Sequence, residues 1–191
     1  MSTPIRMAGQ GRAPDGSPVT WTVAEGRRGR RWREVVGRAG AVVHSLLLET
    51  APDGRFSHLE LARADGLWTF HPEPDGTLHG NHVGGGDDRD ALVRHVAGWP
   101  FTADGAILVA DSPVSRAAIA WARAGSLAAG ASVDIGAVII HRDGRLERVP
   151  ALSVERLSPT SWRVGAGPAF ELGTTGLPVL DQATTRPLEV D

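Results

Sequence analysis

The 191-residue sequence contains no cysteine and no tyrosine, and every one of its 20 basic residues is an arginine. Without cysteine the chain has no thiolate for a metal site, no thiol nucleophile and no disulfide framework. The missing thiols also fit a reducing compartment. Hydrophobic residues make up 41% of the chain, so a chain of this length can bury a stable core without disulfides or a bound metal.

Long apolar runs are missing as well, and none is long enough to cross a bilayer. The N-terminus lacks the basic-then-apolar pattern of a signal peptide. We therefore expect a cytoplasmic protein with no membrane span. The net charge of −2 gives no overall attraction to nucleic acid. The one basic block, Arg27, Arg28, Arg30, Arg31 and Arg33, is more typical of a solvated turn and strand edge than of a nucleic-acid site, because no second basic patch accompanies it.

The common catalytic motifs are absent too. The chain has no P-loop, no GxGxxG after a strand, no GxSxG elbow and no HExxH. The glycines at 84–86 precede two aspartates instead of a helix start with lysine, which is typical of a flexible loop. We expect no nucleotide and no other cofactor.

Short apolar runs separated by glycine, proline and Asp-Gly pairs follow one another from residue 18 onward. A turn about every ten residues is typical of an antiparallel meander. Four Asp-Gly pairs each predict a tight hairpin, at Asp53, Asp65, Asp75 and Asp143. The predicted strands cover residues 19–24, 31–36, 42–50, 55–63, 67–71, 77–83, 92–97, 132–141, 146–149, 152–157, 162–164 and 169–172.

One segment predicts a helix instead of a strand. Ser112 is a suitable N-cap, Pro113 fits the first helical position, and Gly125 or Gly130 would end the helix. Apolar residues recur in it at helical spacing, at Val114, Ala117, Ala118, Trp121 and Ala122.

These elements predict a mostly β fold: a strongly curved antiparallel sheet, half-barrel or barrel, packed with one main α-helix. A flat sheet of about ten strands is unfavourable. Curling it creates an interior that every second side chain faces. We expect residues 1–17 to be a disordered N-terminal segment, residues 18–182 a single β-rich domain, and residues 183–191 a C-terminal tail.

Ionisable residues interrupt otherwise apolar strands. On the strand over 42–50, His44 shares one face with Leu46 and Leu48, while Glu49 lies on the other face. Both faces are largely apolar, which predicts a central strand that is covered on both sides. An ionisable group enclosed in an apolar cavity can serve as a general acid or base. The candidate catalytic residues are Glu49, Glu60, His44 and His95. Each has the plainer alternative of a solvated position at the rim.

Apolar and aromatic residues on the same elements predict the walls of a pocket. Most of the six tryptophans are expected to fill the core, because each buries a large apolar surface. The candidate ligand-binding residues are Trp68, Phe70, Leu46, Leu48 and Trp121.

A histidine-rich stretch, residues 71–82, raises the alternative of a metal site at His79 and His82. Residues 79 and 82 have opposite parity on an extended strand, so their side chains point to opposite faces. Only a bulge at Gly80 would bring them together. We predict no metal site.

The stretch HLELARADGLWTFHPEPDGTLHGN, residues 58–81, resembles the signature region of a bacterial glycolipid-binding family, formerly a domain of unknown function. The resemblance is carried by a leucine-alternating strand, a Gly-Trp hairpin and a Leu-x-Gly step, at Leu59, Leu61, Gly66, Trp68, Gly76, Leu78 and Gly80. It extends to residues 98–114 and 170–181, and spans residues 40–182 in all. The chain departs from the family at Asn81-His82-Val83 and at Ala103-Asp104. The resemblance implies a lipoprotein-carrier-like half-barrel around a helix, with affinity for lipid or glycolipid.

Three functions from different classes fit these observations. The first is binding of a bulky apolar small molecule, such as a lipid, glycolipid or polyketide-like compound, in a β-barrel cavity. The second is a cofactor-free cyclase, isomerase or hydrolase that uses cavity shape and acid–base residues, since positioning alone accelerates such reactions. The third is a non-catalytic interaction module whose interior is filled by its own side chains.

Overall fold

A computed structural model of the chain describes residues 5–13, 15–84 and 93–187. Within these residues the chain forms fifteen strands and one helix. The elements are β1 (Ile5–Arg12), β2 (Pro18–Gly26), β3 (Gly29–Arg38), β4 (Ala41–Thr50), β5 (Phe56–Arg63), β6 (Gly66–Pro72), β7 (Thr77–Gly84), β8 (Val93–Pro100), β9 (Ala106–Val109), α1 (Pro113–Arg123), β10 (Ala131–Ile140), β11 (Leu146–Arg156), β12 (Ser161–Val164), β13 (Phe170–Leu172), β14 (Pro178–Val179) and β15 (Asp181–Pro187).

The strands form two sheets. The larger has nine strands in the order β15-β1-β2-β3-β4-β5-β6-β7-β8, and the smaller has six in the order β14-β13-β12-β11-β10-β9. Neighbours pair antiparallel throughout, except for β9 and β10, which are parallel. The predicted fold class is confirmed: a mostly β chain with a large antiparallel sheet, a half-barrel curl and one helix.

The four Asp-Gly hairpins lie where the sequence predicts them, between β4 and β5, β5 and β6, β6 and β7, and β10 and β11. The glycine of each pair has a positive φ, which side chains rarely adopt. At Gly66 the turn is also crowded, because a Cβ there would lie 2.8 Å from Nε2 of His82.

The N-terminal segment differs from the prediction. Residues 1–17 are predicted to be disordered, but Ile5–Arg12 is a strand that pairs with both β2 and β15. Its small residues let large neighbours pack closely; a Cβ on Gly9 would lie 2.5 Å from the ring of Trp21. The predicted tail over 183–191 is likewise a strand as far as Pro187, because it covers the open edge of β1.

Strand β9 is not predicted from the sequence. All four of its residues are buried, so it lacks the polar alternation that marks a half-exposed strand. It pairs in parallel with β10, and α1 forms the crossover between them. The expected meander is therefore interrupted by one βαβ unit.

Helix α1 begins as predicted. The Ser112 side chain accepts a hydrogen bond from the backbone N–H of Ser115, and Pro113 takes the first helical position. The helix ends earlier than either predicted glycine, at Arg123, with Ala124 as the C-cap.

The core lies on both sides of α1. Alternate residues of the nine-stranded sheet point inward, and Trp21, Trp32 and Trp68 are fully buried among them. Val114 and Ala118 of the helix pack in this cluster, whereas other helix residues, Ala117, Ile119 and Ala120, pack against the six-stranded sheet. The outer face of β4 is not covered as predicted, because Ser45, Leu47 and Glu49 are partly exposed there.

Candidate functional site

A cleft of about 970 Å³ opens at one end of the two sheets. Its walls come from the end of β3, the start of β4, the end of β5, the connection before α1, and the turn between β10 and β11. The residues around β13 and β14 close the remaining side. This volume is at the upper end of the range for small-molecule sites, which is about 300–1,000 Å³.

The floor of the cleft includes a row of side chains from three neighbouring strands. Val36 on β3 lies directly opposite His44 on β4, and His44 lies directly opposite Arg63 on β5. Directly opposed residues have Cβ atoms about 4.5–5.5 Å apart on the same face of the sheet. The strand register therefore places an apolar, an imidazole and a guanidinium group side by side in the cleft.

His44 is held from beneath by a buried carboxylate. Nε2 of His44 lies 2.7 Å from Oε1 of Glu34, and the two side chains are 3% and 0% exposed. The second oxygen of Glu34 accepts a hydrogen bond of 3.0 Å from the backbone N–H of Val114 in the first turn of α1. A carboxylate is stabilised at this position because unpaired N–H groups and the helix dipole face it.

The geometry defines which nitrogen of His44 is available. Nε2 of His44 shares a proton with Glu34, and it is the donor when the carboxylate is ionised, because an ionised carboxylate only accepts hydrogen bonds. Among the described residues Nδ1 has no hydrogen-bond partner, and His44 lines the cleft. The pair therefore presents Nδ1 as the nitrogen that a ligand can meet.

Two half-buried arginines also line the cleft. Arg63 donates to the backbone carbonyl of His141 at 2.7 Å. Arg116 of α1 donates to the carbonyls of Val164 and Ala110, each at 2.8 Å. Burial lowers the pKa of Arg63 and of Arg116, because the charged guanidinium loses contact with water.

The mouth of the cleft is charged and exposed. Its charged side chains are Arg12, Asp15, Arg38, Asp65, Asp111, Arg142 and Asp143. Several pair with one another: Arg142 lies 2.7 Å from Asp111, and Arg38 lies 2.5 Å from Asp15. Other parts of the lining are apolar and include Val43, Phe170 and Val179, of which Val179 is 55% exposed.

Of the four predicted catalytic residues, only His44 lines the cleft. Glu49 pairs with Arg31, and Glu60 bonds His58 at 3.0 Å, both on the outer face of the sheet. The ring of His95 is 6.0 Å from that of His79, away from the cleft. The structure does not bring the four together.

The predicted ligand-binding residues pack elsewhere. Four of them are buried in the core and none lines the cleft: Leu46, Leu48, Trp68 and Phe70. Trp121 covers the guanidinium of Arg30, which lies 4.1 Å from its ring centroid. These side chains therefore fill the interior that the sequence suggests as a hollow, apart from a pocket of about 190 Å³ that Leu48 lines, and the larger open volume lies at its end.

Sequence reasoning missed Glu34, Arg63 and Arg116. The alternation of β3 carries the signal for Glu34, since it stands between Trp32 and Val36 on the inward face. Arg63 likewise continues the inward series of Leu59 and Leu61 on β5. No local pattern marks Arg116, because its role depends on how α1 meets the smaller sheet.

The histidines of β6 to β8 lie as the parity argument predicts. His79 faces outward, with its ring 5.0 Å from that of His71, whereas His82 stacks on Trp68 inside at 3.9 Å. Among the described residues no group of three or more His, Asp or Glu is arranged to hold a metal ion. Helices long and apolar enough to cross a membrane are also not found in this part of the chain.

No family model matches the chain. No curated protein matches it either. A crystal structure of a DUF1089 family protein from Pseudomonas aeruginosa is similar, with a TM-score of 0.51 and 14% identity. The match covers 84% of this chain and 86% of that one. At this identity the likeness shows a shared β fold alone, so the resemblance to a glycolipid-binding family is supported no further than the fold.

Proposed function

We propose that the chain binds a bulky amphiphilic small molecule in the cleft at the end of the two sheets. The observation that carries this proposal is the cleft itself, with about 970 Å³ of space lined by both apolar and polar side chains. Small-molecule sites combine a mostly apolar lining with a few convergent polar groups. The ligand class includes lipids, glycolipids and polyketide-like compounds.

The lining of the cleft offers two kinds of contact, apolar surface and hydrogen bonds. Val43, Phe170 and Val179 offer apolar surface to a hydrocarbon or ring system. His44 and the arginines offer hydrogen bonds to a polar head group. Val43 and Val179 are 38% and 55% exposed, which leaves apolar surface accessible to a ligand.

The test is native mass spectrometry of freshly purified protein for a co-purified hydrophobic mass, together with titration of the neutral dye Nile red. Ala169→Trp adds a large side chain to a residue that lines the cleft, and we expect it to abolish Nile red binding. Ala166→Trp, on the same exposed segment but outside the lining, is the matched control. Equal binding by both variants would contradict the proposal.

A second candidate function, cofactor-free proton transfer, is favoured by one observation: the buried Glu34–His44 pair at the floor of the cleft. Neutral His44 would accept a proton at Nδ1 from a C–H or O–H of the ligand. Glu34 would stabilise the imidazolium, and the same proton would return to another atom of the ligand. The result is an isomerisation or cyclisation without an oxidant or a net change in protons.

Base-catalysed ring opening of a nitrobenzisoxazole tests this candidate, because the reaction needs only a positioned base. We expect the wild type to exceed the buffer background. His44→Gln should abolish the excess, and Glu34→Gln should reduce it and alter its pH profile. His95→Gln, an exposed histidine outside the cleft, is the control. An undiminished rate in His44→Gln would exclude this candidate.

A further inference from the structure

We propose that the cleft selects a ligand with an anionic head group, a carboxylate or a phosphate, that binds Arg63 and Arg116 next to His44. This inference rests on the proposed function, because it names the chemical class of the molecule that the cleft holds.

Charge is distributed unevenly with depth. The aspartates of the lining, Asp15, Asp65, Asp111 and Asp143, are all exposed at the mouth. The half-buried charged side chains of the lining are both cationic, Arg63 and Arg116, and its buried polar side chains are His44 and Ser17. A ligand that reaches the floor therefore meets cations and an imidazole, and passes the carboxylates on the way.

The arginines at the mouth are already compensated. Arg142 pairs with Asp111 at 2.7 Å, and Arg38 pairs with Asp15 at 2.5 Å. These pairs engage two of the four carboxylates of the lining, Asp111 and Asp15. Exposed ion pairs are screened by water and salt, so the arginines in these pairs attract an anion only weakly.

Arg63 and Arg116 are not compensated in the same way. Among the side chains that the structure describes, neither has a carboxylate within ion-pair distance; Asp65, Asp111 and Asp143 act on Arg63, and Asp111 acts on Arg116, from farther away. Their hydrogen bonds go to backbone carbonyls, which are neutral, at His141 for Arg63 and at Val164 and Ala110 for Arg116. Such bonds hold each guanidinium in place without neutralising its charge.

A guanidinium has five N–H donors in a planar fork. The bonds to carbonyls use Nη1 of Arg63 and both terminal nitrogens of Arg116, one N–H each in the latter. Donors on each arginine remain for oxygen atoms of a ligand. Carboxylate and phosphate oxygens match this geometry, and charge-assisted hydrogen bonds are the stronger ones.

Burial makes pairing with an anion energetically favourable for both arginines. Desolvation is the largest influence on both guanidinium groups, and it lowers the pKa of Arg63 and of Arg116. A buried charge costs free energy unless it is paired and hydrogen-bonded. An oxyanion on the two arginines would supply the pairing, and the directly opposed His44 would offer a further contact.

The experiment measures affinity by isothermal titration with four dodecyl compounds below their micelle concentrations: dodecanoate, dodecyl phosphate, dodecanol and dodecyl maltoside. All four share the same hydrocarbon chain, so their differences report the head group. We expect at least one of the two anions to bind about tenfold more tightly than dodecanol, as expected for a charge-assisted hydrogen bond. Preference for dodecanoate or for dodecyl phosphate identifies which anion the site takes, and either supports the proposal.

Variants assign the preference to the two arginines. Arg63→Gln and Arg116→Gln are each expected to remove the preference for the anion, and Arg63→Lys to keep part of it. Arg33→Gln is the matched control, because Arg33 is exposed and lies outside the cleft. Since Arg116 also bonds the backbone, its variant is compared by thermal unfolding. If Arg116→Gln does not fold, the comparison of Arg63→Gln with Arg63→Lys decides whether the arginine carries the preference for the anion.

The outcomes separate this inference from the proposed function. Equal affinity for anions and neutral compounds, or a preference that survives Arg63→Gln, would overturn the anionic head group while leaving a binding cleft. Binding of none of the four compounds would overturn the proposed function and the inference together.

Discussion

Glu34 and His44 are joined by a 2.7 Å hydrogen bond between two almost fully buried side chains on neighbouring strands. Glu34 also bonds the backbone of Val114, so it links the larger sheet to the start of α1. The position of His44 in the cleft is therefore coupled to the packing of the helix.

We predict that Glu34→Ala lowers the free energy of unfolding by about 3 kcal/mol, because removing one partner of a buried polar pair leaves the other unsatisfied. Urea denaturation measures the change. The double variant with His44→Ala should lose less than the sum of the two single variants. Strict additivity would show that the two side chains do not interact.

Substitution of Arg30 is expected to have a second effect on stability. Its buried guanidinium lies between the rings of Trp121 and Trp32, at 4.1 and 5.4 Å from their centroids, and pairs with Glu25 at 2.9 Å. Arg30→Ala removes the cation–π contacts and should lower the free energy of unfolding by about 2 kcal/mol. Arg33→Ala, an exposed change on the same strand, should cost about 0.5 kcal/mol or less. Equal losses in urea denaturation would refute the role of the two rings.

A substitution at Gly167 should displace the guanidinium of Arg116 without removing that side chain. A Cβ at residue 167 would lie 2.7 Å from Cζ of Arg116, at the flexible end of that side chain. Gly167→Ala should therefore displace the guanidinium, weaken the binding of the preferred anionic dodecyl compound several-fold, and change thermal stability little. Gly125→Ala is the control, since a Cβ there meets nothing within 4 Å. Unchanged affinity would place Arg116 outside the ligand site.

The acid side of the stability profile is predicted from Asp15. A backbone hydrogen bond from Ser17 lowers the pKa of Asp15 most, and Arg38 contributes less. A carboxyl group whose folded pKa is lowered stabilises the protein above the unfolded value of 3.8, and this stability is lost as the pH falls through the folded pKa.

Asp15→Asn should consequently lower stability at neutral pH and flatten the loss of stability below about pH 4. Arg38→Gln removes only the weaker contribution and should change the profile less. Urea denaturation across this pH range measures both variants. A steeper acid loss in Asp15→Asn would reverse the assigned sign.

Much of the fold could be predicted because its turns and strands are marked locally. Asp-Gly pairs such as Asp53-Gly54 require a positive φ at the glycine, and Ser112-Pro113 is a local helix start. Strands without a local mark were missed. Ala106–Val109 has no polar alternation, and Ile5–Arg12 is rich in small residues that become a strand only between two partners.

The candidate site was predicted in one residue only. His44 stood out as a polar side chain on an apolar strand face, and it does line the cleft. The same reasoning selected Glu49 and Glu60, because alternation tells which residues share a face but not which face is covered. Glu34 and Arg63 lie on the covered face, where they meet His44 across strands.

The sequence by itself determined the β class, the hairpins and the start of the helix, since these depend on φ preferences, capping and alternation within a few residues. Tertiary structure alone decided where the open volume lies. Trp68 and Phe70 fill the interior because the sheets close around α1, and the cleft remains at the end where Glu34, His44 and Arg63 meet. Those contacts join residues that are distant in the chain or on separate strands, so no local pattern encodes them.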